Sequence, residues 1–227
     1  MTSPMEYSRM TSASDTWAVR ARQLAGDAMQ HDPGHDLSHL DRVWANARCL
    51  LAEDAQADPV VVAVACYLHD VVNLPKDHPE RGQASRRSAQ QACGLLLAAG
   101  FDAARLPAVF HAIEAHSYSA GIVARSPEAR IVQDADRLDA LGPVGLARMF
   151  AIGGALGRAL ADGQDPLGLT RERDDSLYTL DHLEIKLAQL PDSMWTAAAR
   201  ALGHRRLAWM RAFARDFAAD FAPGGPS

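Results

Sequence analysis

Cysteine is scarce in this sequence: three in 227 residues, Cys49, Cys66 and Cys93, each in an apolar context. None has the close pairing of a thiolate metal site. They read as small, reduced core residues, which points to a cytoplasmic protein. Excess positive charge is missing too. The formal net charge is −5, which leaves no basic footprint for bulk nucleic acid as a partner. No apolar run approaches the roughly 18 residues of a membrane span, so no membrane association is expected. The first fifteen residues lack the basic start and continuous apolar stretch of a signal peptide. Convincing two-residue alternation, internal repeats and low-complexity interior segments are also lacking, which argues against sheet, solenoid and disordered classes. What remains is an ordinary globular composition, 48% apolar and 22% charged, with enough chain for a sizeable core.

The apolar spacing predicts an all-α, single-domain bundle of about eight helices. A polar lead-in occupies 1–15, the helical domain 16–221 and a flexible tail 222–227. Asp36 is a candidate cap for a helix with a Leu40, Val43, Ala47 stripe. Asp58-Pro59 starts the next, because a capping carboxylate followed by proline suits the first helical turn; it is expected to run to about Val72. Further helices are expected near 83–99, 103–117, 127–141, 143–161, 176–190 and 193–221. The last reads as a closing core helix whose aromatic face can serve a homodimer. Glycines at 142, 145, 153, 154 and 157 suit close helix packing.

Three places put polar groups where an apolar core is expected. In "GHDLSHLDRV" (34–43), His35 and His39 are four apart and share a helix face. The run "DPVVVAVACYLHDV" ends in His69-Asp70. In "RIVQDADRLDALG" (130–142), Asp134, Asp136 and Asp139 lie among apolar residues. Burying an unpaired carboxylate is costly unless it is neutralised, paired or metal-bound. A mixed imidazole and carboxylate set drawn from these segments suits a divalent cation such as Mn²⁺, Mg²⁺, Fe²⁺ or Zn²⁺.

The order "GHDLSHLDRV", "AVACYLHDVV", "IVQDADRLDALGPVGLARMFAIGG" resembles the HD superfamily of metal-dependent phosphohydrolases. More narrowly, it is similar to the stand-alone bacterial branch whose members cleave nucleoside triphosphates. The likeness runs from about 34 to 161 and continues through 180–213. It implies metal ligands at His39, His69, Asp70 and Asp136, with one divalent ion per site. Helical periodicity does not select Asp136: Asp134 lies nearer the Ile131–Leu138–Leu141 face. The family pattern, with its aspartate directly before "RL", favours Asp136, and Asp134 is the replacement.

The resemblance implies hydrolysis of a nucleotide, from triphosphate to monophosphate plus pyrophosphate, by metal-activated water, with Asp70 orienting that water or taking its proton. Phosphoryl transfer needs positive charge around the equatorial oxygens. Lys76 and Arg81, in the loop after the HD pair, are the candidates, with Arg86 or Arg87 further on. His116 is expected to contact substrate. His35 and Asp36 are candidates to orient His39, and His111 to join a second metal or support the first. Certain deoxynucleotide-cleaving relatives carry an acid three positions after the pair's aspartate. Asn73 stands there, which argues against that monophosphatase chemistry. Two other readings compete: a non-catalytic nucleotide-binding regulatory module, and a di-iron oxygenase that would need His111 and His116 as ligands.

Overall fold

The computed structural model describes residues 12–29, 37–72, 74, 80–117 and 120–221. Its helices are α1 (Ala13–Ala28), α2 (Leu37–Leu51), α3 (Pro59–Leu68), α4 (Ala84–Ala98), α5 (Leu106–Glu114), α6 (Pro127–Asp139), α7 (Gly142–Ala155), α8 (Asp181–Ile185), α9 (Leu190–Ser193) and α10 (Ala197–Phe221). Strands are absent among the described residues, where the only sheet-like pairing is an isolated bridge between Ala159 and Tyr178. The class is all-α. The chain folds into two compact units: residues 1–41 with 56–129, and residues 42–55 with 130–227.

In the first unit, α1 packs on α3, α3 on α5, and α4 on α5. Helix α1 begins at Ala13, before the expected start, because Ser12 and Asp15 form a reciprocal capping box that periodicity does not register. Asp58 caps α3 by accepting from the Val60 N–H at 2.9 Å. Every residue from Val60 to Leu68 is buried. A helix apolar all round can only be a core helix, so its sequence and its position agree. It stops at Leu68, four residues short of the expected end. Beyond it, Ser88 on α4 accepts from the Val72 N–H and donates to the Val72 carbonyl, at 3.1 and 3.2 Å.

The second unit packs α10 against α7 and α9. The buried face of α10 is Ala199, Gly203, Leu207, Met210 and Ala214. Trp195, expected within this core helix, precedes it and is 41% exposed, and Trp209 is 45% exposed. Trp209, Phe213, Phe217 and Phe221 form a ladder four residues apart along the helix. Helix α7 ends at Ala155 rather than near 161. The Gly157 N–H donates to the Gly154 carbonyl and the Arg158 N–H to that of Gly153, with Gly157 at φ +70°, the Schellman arrangement that terminates a helix. The expected helix 176–190 is broken into α8, a 3-10 turn and α9. Asp162 and Asp165 collect backbone amides of the preceding loop instead.

Candidate metal centre

His39, His69, Asp70 and His116 meet within the first unit. His39 stands in the first turn of α2, His69 caps the end of α3, Asp70 follows it, and His116 lies two residues past α5. The ligand atoms of His39, His69 and Asp70 lie within 4.8 Å of one another. His39 Nε2 is 3.4 Å from His69 Nε2. The Asp70 carboxylate sits between two imidazoles, with Oδ2 at 3.6 Å from His69 Nε2 and Oδ1 at 3.4 Å from His116 Nε2. His69 is fully buried and His39 and His116 nearly so; the Asp70 side chain is 24% exposed.

Backbone carbonyls fix two of these rings. The Cys66 carbonyl accepts from His69 Nδ1 at 2.9 Å, and the Ile113 carbonyl accepts from His116 Nδ1 at 2.6 Å. A carbonyl can only accept, so Nδ1 carries the proton in each ring. Each ring therefore turns its remaining nitrogen, Nε2, toward the Asp70 carboxylate. Imidazole nitrogens and a carboxylate gathered this closely in a buried setting form a donor set able to hold a cation. The partial negative charge at the C-terminal ends of α3 and α5 adds to that preference. Nitrogen and oxygen donors of this kind fit a divalent transition metal or Mg²⁺.

A second set of contacts supports the first. Tyr67 on α3 donates its hydroxyl to Asp41 Oδ1 on α2 at 3.0 Å, and Arg22 on α1 clasps the same carboxylate at 2.8 and 2.9 Å. Asp41 and Tyr67 each lie two residues from a cluster histidine. No local pattern singles out Asp41, because its partners are 19 and 26 residues away.

The remaining candidates separate clearly. His111 is engaged at both nitrogens: Nε2 accepts from the Arg125 N–H at 3.0 Å, and Nδ1 faces Glu114 at 3.4 Å. It ties α5 to the segment before α6 and offers no lone pair to a second ion. That leaves the di-iron reading without one of its two required histidines. Asp134 is fully buried in the second unit and anchors the residues leading into α10, whose N-cap is Thr196, the acceptor of the Ala199 N–H at 3.2 Å. The Asp134 carboxylate accepts from the Trp195 N–H at 2.9 Å, the Thr196 N–H at 2.8 Å and the Thr196 hydroxyl at 2.9 Å. Burial pushes its carboxyl above the usual carboxylate range, against the opposing pull of those hydrogen bonds. Asp134 is thus committed to packing, which removes it as the replacement ligand. Asp139 is held by Arg42 at 2.7 Å and Arg148 at 2.6 Å. Arg137 donates to the Ser193 carbonyl. Asp136 is half-buried on α6, in the second unit. His35, Asp36, Asn73, Lys76 and the Arg81 side chain lie outside the described residues. Arg87 is paired with Glu80 at 2.5 Å.

Known proteins share this framework. The HD-domain family profile matches residues 36–141. The Bacillus subtilis protein YpgQ is 33% identical over 195 residues, covering 84% of this chain and 86% of YpgQ. The crystal structure of YpgQ in complex with ADP superposes with a TM-score of 0.69 at 30% identity, over 91% of this chain and 100% of that one. An HD-superfamily hydrolase from Bacillus thuringiensis gives a TM-score of 0.70 at 30% identity, over 91% of this chain and 97% of that one. Helical architecture, paired His69-Asp70 and sequence likeness converge on one assignment: this chain belongs to the HD superfamily of metal-dependent phosphohydrolases.

Proposed function

We propose that the substrate is a nucleotide, cleaved from triphosphate to monophosphate plus pyrophosphate in the cytoplasm. The observation that carries the hydrolytic reading is the carboxylate of Asp70 held between the Nε2 atoms of His69 and His116. The nucleotide reading draws support from YpgQ, which crystallised with ADP.

In this reading His39, His69, Asp70 and Asp136 hold one divalent cation, with Asp136 supplied by the family pattern. When bound, such an ion polarises a phosphoryl oxygen and makes water more acidic. Asp70 is the member of the cluster with solvent access, so its carboxylate can orient a water molecule and accept its proton. The His69 and His116 rings, anchored to the backbone, keep their Nε2 atoms turned toward that carboxylate. His116, expected to touch substrate, has its Nδ1 on a carbonyl and its Nε2 on Asp70; we assign it to the cluster. Lys76 and Arg81 are the proposed phosphate contacts. The ladder from Trp209 to Phe221 is the candidate face for a homodimer, which analytical ultracentrifugation tests.

The deciding experiment is a panel of nucleoside triphosphates, diphosphates and simple phosphate esters assayed with Mn²⁺, Mg²⁺ and Co²⁺. Turnover of a triphosphate with release of pyrophosphate is expected. Absence of turnover across the panel refutes hydrolysis of these classes. Equal nucleotide binding by wild type and Asp70→Asn, with catalysis in neither, would put the regulatory reading in its place.

A further inference from the structure

The second unit contains a cavity of about 330 Å³ between the 166–184 segment and α10, lined by none of the cluster residues. Its floor is apolar: Leu180, Leu183 and Ala214 are all buried there. Its rim carries three arginines, Arg173, Arg211 and Arg215.

The charges on this rim do not cancel. Asp181 is satisfied by Arg171, at 2.7 and 2.8 Å, and by the Asp174 N–H at 2.8 Å. Glu184 is clasped by Arg211 at 2.8 and 2.7 Å. Both acids of the lining are thereby neutralised. Arg173 hydrogen-bonds only a neutral acceptor, the Leu167 carbonyl, at 3.3 and 3.2 Å, and its charge adds to that of Arg211 in favouring ionised Glu184. Arg215 has no acidic partner among the described residues. Three arginines against two paired acids leave surplus positive charge on a lining with an apolar floor and a size suited to a small ligand.

We infer that this cavity binds a small amphiphilic anion, an aliphatic carboxylate whose chain lies on Leu180, Leu183 and Ala214 and whose head meets Arg173 and Arg215. A bare inorganic anion would leave the floor uncovered. A neutral aliphatic molecule would leave the surplus positive charge of the rim uncompensated.

Isothermal titration of the full chain with octanoate, octan-1-ol and inorganic phosphate tests this. The expected result is saturable octanoate binding at one site per chain. Both other probes should bind at least about tenfold more weakly, as loss of the charge-assisted contacts or of apolar contact predicts. Arg173→Ala/Arg215→Ala removes two exposed side chains, and circular dichroism checks its fold; octanoate affinity should fall by about tenfold or more. His69→Ala should bind octanoate as wild type does. The proposal is overturned by any of four results: no saturable octanoate binding, an unchanged affinity in the double variant, phosphate or octanol matching octanoate, or loss of binding in His69→Ala.

Discussion

Replacing Asp134 by alanine separates the packing carboxylate of α6 from the chemistry proposed for its neighbour. The side chain accepts from two backbone amides and a hydroxyl at the start of α10. Each intramolecular hydrogen bond lost costs about 0.5–1.5 kcal/mol. A donor left without an acceptor in a largely buried position costs about 1–3 kcal/mol more. Relief of carboxylate burial offsets part of this, since burial already pushes the Asp134 carboxyl upward. The net expectation is a loss of about 2–4 kcal/mol, read as a lower urea midpoint at unchanged slope. In a chain of this length that corresponds to roughly 4–16 °C in Tm. Asp134→Asn should lose less, because the amide oxygen still accepts and no charge is buried. The pH dependence has a definite sign. A carboxyl whose folded-state pKa is raised adds stability that is present below its unfolded value near 3.8 and lost as pH climbs through the folded one. The stability of wild type relative to Asp134→Asn should therefore be greatest in acid and decline over that window. A change below about 0.5 kcal/mol for Asp134→Ala, within the range of ordinary surface substitutions, would refute the anchoring role given to this carboxylate.

Asp70→Asn should retain the fold by circular dichroism but lower kcat by about 10²–10⁴-fold, the usual contribution of a positioned acid or base; near-normal turnover would remove Asp70 from the chemistry. Chelation of divalent metal should lower Tm by about 5–11 °C if the ion is present at a hundred times its Kd, equivalent to about 2.7 kcal/mol, while His69→Ala should show no metal-dependent shift. An identical response of both proteins would place the ion elsewhere. Gly153→Ala would put a Cβ within 2.1 Å of Thr179 Oγ1 and 2.6 Å of Cγ2. It should cost about 1–3 kcal/mol in urea unfolding and be partly rescued by Thr179→Ala; a neutral single substitution would contradict the packing described.

The start of α3 was readable because Asp58 and Pro59 act locally, on the very turn they begin. Its end was not, since the arrest at Leu68 coincides with a ring-to-carbonyl bond that leaves no trace in hydrophobic spacing. The same distinction runs through the site. The pair His69-Asp70 stood out as polar residues after an apolar run. Asp134 and Asp136 could not be told apart by periodicity, because what occupies Asp134 is an amide pair 61 and 62 residues further on. Likewise, nothing in the spacing of His111 and His116 said which would face the cluster. The difference lies in the Arg125 amide, which claims His111. Between α7 and α8, the chain is organised by carboxylates gathering amides and by the Arg171–Asp181 pair, so apolar spacing there predicts a helix longer than the one that forms.

The imidazole tethers at His69 and His116 make punctuation and aim a single event. Each ring takes the oxygen three residues behind it, the same oxygen that a continuing helix would offer to the following turn. The Ile113 oxygen shows the arrangement at its fullest, accepting from both the His116 ring and the His116 N–H. A substitution that shifts the backbone at Cys66 or Ile113 would turn a ring away without touching any side chain of the cluster.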